Sequence, residues 1–160
     1  MKTVIIYAST HHGNTKKVVD QMAACIDADI VDITKSNPLH IAGYDLIGFA
    51  SGIYFGSFHE KITKFVEKEA FSKRQKAFLV DTCGIGYKNY SNGIRKKLER
   101  KGVTVLGNFQ CRGYDTYGIW GKLGGVAKGH PNETDFNKAQ SFIKQLVKKA
   151  ENEETETIRH

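Results

Sequence analysis

Thr3-Val4-Ile5-Ile6-Tyr7-Ala8-Ser9-Thr10-His11-His12-Gly13-Asn14-Thr15, followed by Val18, Val19, Met22, Ala23 and Ile26, is the stretch that decides the fold. The β-branched and aromatic run at its start reads as a strand over about Lys2–Ala8. The apolar residues at its end recur at three- and four-residue intervals and read as a helix over about Gly13–Asp27. Between them lies a loop of small and polar residues. In an open α/β sheet, ligands sit outside the carboxyl ends of the strands, so this loop is the expected site. Its chemistry suits an oxyanion. Ser9, Thr10 and Thr15 carry hydroxyls, Gly13 lets the backbone come close, and a helix N-terminus offers free N–H groups and the positive end of a dipole.

Two common phosphate loops are excluded. A Walker loop needs Lys and then Ser or Thr directly after its second glycine, whereas Gly13 is followed by Asn14-Thr15-Lys16-Lys17. A dinucleotide loop needs three glycines at this turn, and only Gly13 is present.

Working outward, four more strands alternate with helical stretches. The second strand is short, Asp29–Ile33. Thr34–Ala42 contains Pro38 and reads as a turn with a short helical piece. The third strand is Asp45–Ala50, followed by the loop Ser51-Gly52-Ile53-Tyr54-Phe55-Gly56-Ser57 and a helix over about Phe58–Ala70 that buries Ile62, Phe65 and Val66. The fourth is Ala77–Asp81, with the loop Thr82-Cys83-Gly84-Ile85-Gly86-Tyr87 after it. A basic helix then runs to about Lys101, with Tyr90, Ile94 and Leu98 inward, and Gly102 stops it. The fifth strand spans Val103 to about Arg112, interrupted by Gly107. After the glycine-rich loop Gly113–Pro131, the last helix starts at Asn132 with Asp135 in the capping-box position. It buries Phe136, Ala139, Phe142, Ile143, Leu146 and Val147. Strands this rich in Val, Ile, Leu and Phe, separated by helices, make an α/β fold, a parallel sheet covered on both faces in three layers. Residues 1–150 read as one domain and residues 151–160 as an acidic, frayed tail.

Composition agrees with a globular chain: 160 residues, 40% hydrophobic and 26% charged. No apolar run reaches membrane-span length, and Met1-Lys2-Thr3 enters a strand directly, so the cytoplasm is the expected location. Cys25, Cys83 and Cys111 show neither metal spacing nor a disulfide framework and read as reduced thiols, with Cys25 and Cys111 buried. The net charge is +7. Residues 151–160 hold four glutamates and one arginine, so the remaining body has 23 basic and 13 acidic residues, a charge of +10.

The pattern Tyr7-x-Ser9-Thr10-x-x-Gly13-Asn14-Thr15 resembles the phosphate loop of the flavodoxins. It departs from the usual loop in carrying His12 where a Thr precedes Gly-Asn-Thr, and in being one residue longer. The similarity runs from Thr3 to about Val147. It implies a five-stranded sheet of order 2-1-3-4-5, for which flavodoxin is itself the type example. It also implies FMN as cofactor. Ser9, Thr10, His11, His12, Gly13, Asn14 and Thr15 would take the phosphate. Ser51, Gly52, Ile53, Tyr54, Phe55 and Gly56, with Thr82, Cys83, Gly84, Ile85, Gly86 and Tyr87, would take the isoalloxazine ring. That ring is flat and apolar on both faces and wants aromatic or aliphatic walls with backbone groups at its polar edge. Gly52 or Gly56 would permit a peptide flip beside the flavin N5.

The flavodoxin resemblance implies an electron-transfer protein that passes electrons from a reductase to an acceptor enzyme. An NAD(P)H-dependent quinone or flavin reductase, or an oxidoreductase acting on a tetrapyrrole, is the alternative on the same fold. A receiver domain needs acidic residues where this chain has Tyr7-Ala8-Ser9 and Ala50-Ser51. No catalytic side chain and no metal site is read from the sequence; His11, His12, His40, His59 and His130 lack zinc spacing. The run Lys96, Lys97, Arg100 and Lys101 comes without a nucleic-acid reader motif and reads as a solvated face. The loop Gly113–Gly121, with Trp120 and Ile119, either roofs the flavin, binds a partner or packs on the sheet.

Overall fold

The opening β-branched run forms β1 (Thr3–Ala8), buried along its whole length. Its side chains alternate between the two faces of the sheet. Ile5 and Tyr7 enter one core and Val4, Ile6 and Ala8 the other. The computed structural model describes residues 1–10, 12–36, 40–86, 88–116 and 122–158. After β1 come α1 (Asn14–Ile26), β2 (Asp29–Asp32), a 3-10 turn (Ile41–Gly43), β3 (Leu46–Tyr54), β4 (Ser57–Phe58), α2 (Glu60–Lys68), β5 (Lys76–Cys83), α3 (Asn92–Arg100), β6 (Thr104–Arg112) and α4 (Glu133–Ile158).

The five long strands lie parallel in the order β2-β1-β3-β5-β6, and the two-residue β4 pairs antiparallel to β3. Counting only the long strands, this is the 2-1-3-4-5 order. Val18, Val19 and Met22 of α1 and Ala139, Ile143 and Leu146 of α4 cover one face. Ile62 and Val66 of α2 and Ile94 and Leu98 of α3 cover the other.

Several boundaries differ from the sequence reading. β3 continues four residues past Ala50, because Ser51 and Gly52 still pair with Asp81 and Thr82, and Ile53 and Tyr54 then pair with β4. β5 takes in Thr82 and Cys83, where a loop was expected. α2 begins at Glu60 and α3 at Asn92, both later than their periodicity suggests. β6 passes through Gly107 without a break. Its register with β5 shifts there: Ala77 faces Val105 but Leu79 faces Asn108, so Leu106 and Gly107 together oppose Phe78, a bulge. The acidic tail, expected to fray, is helical through Ile158, its last described residue. Glu153 and Lys76, at 2.9 Å, hold α4 to the sheet. Cys83 and Cys111 are buried, whereas Cys25 is only partly so.

Candidate functional site

The parallel order brings the ends of β1, β3 and β5 side by side. At the first of them, His12 and Gly13 are both left-handed, at φ 54° and 65°. Gly13 is the N-cap of α1 and provides no side-chain cap. A Cβ at Gly13 would meet nothing within 4 Å, so the helix start faces open space. The hydroxyls around it divide their work. Ser9 Oγ accepts from the Lys16 N–H at 3.2 Å. Thr10 Oγ1 shares a hydrogen bond with the Tyr54 hydroxyl at 2.5 Å. Thr15 is 1% exposed and its Oγ1 lies 2.8 Å from Thr82 Oγ1, so this hydroxyl ties β5 to α1. Asn14 donates to the Tyr114 carbonyl at 2.8 Å, while its buried Oδ1 has no partner among the described residues.

The end of β3 turns on Tyr54-Phe55-Gly56-Ser57. Both central residues are left-handed, Phe55 at φ 52° and Gly56 at φ 79°, as a type I′ hairpin turn requires. Tyr54 folds back toward Thr10 and sets its ring edge-on against His59 at 5.0 Å. Phe55 is 90% exposed. Ser51 is fully buried. Its hydroxyl donates to the Gly52 carbonyl and accepts the His59 N–H at 2.9 Å, which seats the first turn of α2 on the strand end. His59 Nδ1 in turn accepts from the Lys61 N–H as the cap of α2, and burial holds this imidazole below its ordinary pKa, in keeping with a neutral acceptor. Ile53 is partly buried and packs against the α2–α3 core.

At the end of β5, burial pushes the Cys83 thiol up to about 12, so it is no nucleophile. The Gly84 carbonyl accepts from Arg112 Nε and Nη2 at 3.3 and 3.2 Å, and the Ile85 carbonyl accepts from the Tyr90 hydroxyl at 3.0 Å. Gly86 is exposed. His11 and Tyr87 lie outside the described residues.

The long loop after β6 knits the first and third of these ends together. Gly113 N–H donates to the Cys83 carbonyl at 2.9 Å, and Asp115 and Val126 pair across the loop. Both lie so close over Gly84 that a Cβ there would come within 2.9 Å of each. On the other side, Thr116 Oγ1 meets His12 Nε2 at 2.9 Å and the Tyr114 ring lies 4.7 Å from that of His12. The described part of this loop lies over the sheet end; Trp120 and Ile119, on which its three readings turn, fall outside the described residues. Tyr114, Thr116 and Arg112 were not legible as site residues. Tyr114 and Thr116 belonged to a loop read as a possible roof of the site, and Arg112 carried no signal beyond ending the last strand.

A model of the flavodoxin domain matches residues 4–123 of this chain. The chain belongs to the flavodoxin domain family. An uncharacterized protein of Methanocaldococcus jannaschii is 45% identical over 150 residues, covering 92% of this chain and 99% of its own. Among solved structures, a flavodoxin from the domain Archaea superposes with a TM-score of 0.68 at 14% identity, covering 94% of this chain and 99% of that one. Rubredoxin oxygen:oxidoreductase of Desulfovibrio gigas superposes at 0.71 and 10% identity, covering 94% of this chain and 36% of that one. Both structural likenesses speak for the flavodoxin fold. Among the described residues, no helix is long and apolar enough to cross a membrane.

Proposed function

We propose that the protein binds FMN and carries electrons between a reductase and an acceptor enzyme. The observation that carries this reading is the direct link between an anion end and a ring end. The uncapped start of α1 at Gly13 and the hairpin that displays Phe55 are joined through the Thr10–Tyr54 hydrogen bond. A ligand with one phosphate and one wide apolar ring fits that pair of ends. The N–H groups at Gly13, Asn14 and Thr15 would hold the phosphate. Phe55 would cover one face of the ring, with backbone groups of Gly52, Gly84 and Gly86 at its polar edge. Bound there, FMN supplies one- and two-electron chemistry, while the protein sets its potential and its docking.

The test is to release the cofactor with acid from purified or reconstituted protein and identify it by mass. FMN is expected; recovery of FAD, or of nothing after reconstitution, rejects the reading. A carrier also shows no steady-state oxidation of NADH with a quinone, which the reductase alternative requires.

A further inference from the structure

One carboxylate is buried directly beneath the third loop and has no ion-pair partner among the described residues. Asp81, two residues before Cys83 on β5, is 0% exposed. From β6, Gln110 Nε2 donates to its Oδ2 at 2.7 Å. The same Nε2 donates to the Lys88 carbonyl at 2.9 Å, so Gln110 bridges the carboxylate to the segment leading into α3. Asn108, also on β6, sets its carboxamide beside Asp81. Yet Asp81 Oδ1 and Asn108 Oδ1 are both buried without a donor. The carboxylate thus has one oxygen held by Gln110 and the other without a donor among the described residues, and a proton on Asp81 would remove the charge that this burial penalises.

The nearby cation, Arg112 on β6, acts on Cys83 and turns its guanidinium to the Gly84 carbonyl, not to Asp81. Ser51 stands opposite Asp81 on β3, and the titratable groups that feel its charge are the thiols of Cys83 and Cys111, both raised by burial to about 12 and neutral. No ion pair to Asp81 exists among the described residues. Burial raises the carboxyl itself to about 6, against the opposing pull of Gln110 and then Asn108. That places its titration within the range a nearby change of charge can move.

We propose that Asp81 is a redox-linked proton acceptor: it takes one proton when an electron is added to the cofactor site above it. The inference rests on the flavin reading. One electron from an external one-electron reductant enters the site, and one proton from bulk water adds to the Asp81 carboxylate, giving the neutral acid; reoxidation returns both. Gln110 and the Lys88 carbonyl transmit the change to the third loop.

The experiment is potentiometric titration of the FMN-loaded full chain and its Asp81→Asn variant between about pH 5 and 8. Over part of that range the wild-type reduction equilibrium is expected to shift tenfold more per pH unit than the variant's, about 59 mV per unit for one electron. Parallel pH slopes overturn the proposal. A second readout needs no variant: the reduced-minus-oxidised infrared spectrum of the wild type should gain a protonated-carboxyl band that shifts in heavy water. Its absence, or its persistence in Asp81→Asn, also overturns the proposal. A chain that retains no FMN is recognised by its absorbance before any reduction, and that outcome removes the flavin reading and this inference together.

Discussion

Phe55 occupies a backbone conformation that L-residues with bulky side chains avoid, at φ 52°, and leaves 90% of its surface in water. The turn type favours Asn or Gly at that position, and the left-handed penalty is roughly 1–2 kcal/mol. Phe55→Asn is therefore expected to raise the melting temperature slightly while weakening FMN binding about tenfold or more, the loss of a stacking contact of roughly 1.5 kcal/mol. Calorimetry and FMN fluorescence quenching read the two effects separately, and unchanged affinity removes Phe55 from the ring site. Asp81 gives a second prediction. Folding raises its carboxyl from 3.8 to about 6, so between those values the folded state holds a proton that the unfolded chain has released. Stability falls as pH rises through that window, and above it the deficit is constant, about 3 kcal/mol at most. Asp81→Asn should stabilise the protein at neutral pH by on the order of 1–3 kcal/mol and flatten this pH dependence, measured by urea unfolding. Neither residue was fully legible beforehand. The sequence displays an aromatic in a loop and an acid at a strand end. It does not display that the first is left outside by a hairpin, or that two carboxamides from the next strand face the second.

At the scale of elements, what could be read was what is local. The capping box at the start of α4 is such a case: Asn132 N–H donates to Asp135 Oδ2 at 2.9 Å and Asp135 N–H to Asn132 Oδ1 at 3.1 Å. Asn132→Ala should cost about 1 kcal/mol of stability. Gly107 was legible as an irregularity, and only pairing with β5 makes it a bulge instead of a break. Helix periodicity alone could not extend α4 through its acidic end, because Lys76, which holds Glu153, is far away in sequence. The same holds for Thr15. Its place after Gly13-Asn14 suggested a ligand hydroxyl, yet its partner is Thr82 on β5. Thr82→Val should therefore destabilise the fold by roughly 1–3 kcal/mol, because it strands the Thr15 hydroxyl in the core. Adding Thr15→Val should recover much of that loss. Chemical denaturation of the two single variants and the double variant measures the coupling; strictly additive losses would show that the pair does not act as one unit.

For the whole molecule, fold class and strand order were legible because hydrophobic runs and their spacing are global properties of the chain, while the charge balance raises a question the fold does not answer. The flavodoxin resemblance implies an acidic face around the flavin, yet the body outside residues 151–160 carries +10. Part of this charge is committed within the fold. Lys97 meets Glu67 at 2.6 Å, Lys64 meets Glu60 at 3.1 Å, and Lys101 caps the end of α2 on the Glu67 and Glu69 carbonyls. Lys68, Lys96 and Arg100 stay exposed on α2 and α3, the helices that follow the second and third loops. Charge of this kind acts mainly on encounter rate and orientation. Under the proposed carrier function, such a basic body steers the protein toward an acidic redox enzyme, and exposed charges are screened beyond about 8 Å at physiological ionic strength. Reduction of the FMN-loaded protein by an acidic reductase should therefore be fast at low salt and slow as salt is added, and a basic reductase should be slower throughout. Stopped-flow rates across a salt series, repeated with Lys96→Glu and Arg100→Glu, make the comparison. Charge reversal on α3 should slow the acidic partner and spare the low-salt rate with a neutral chemical reductant. Rates indifferent to salt, or faster with the basic reductase, would remove net charge from the choice of partner and leave it to the shape of the surface around Phe55.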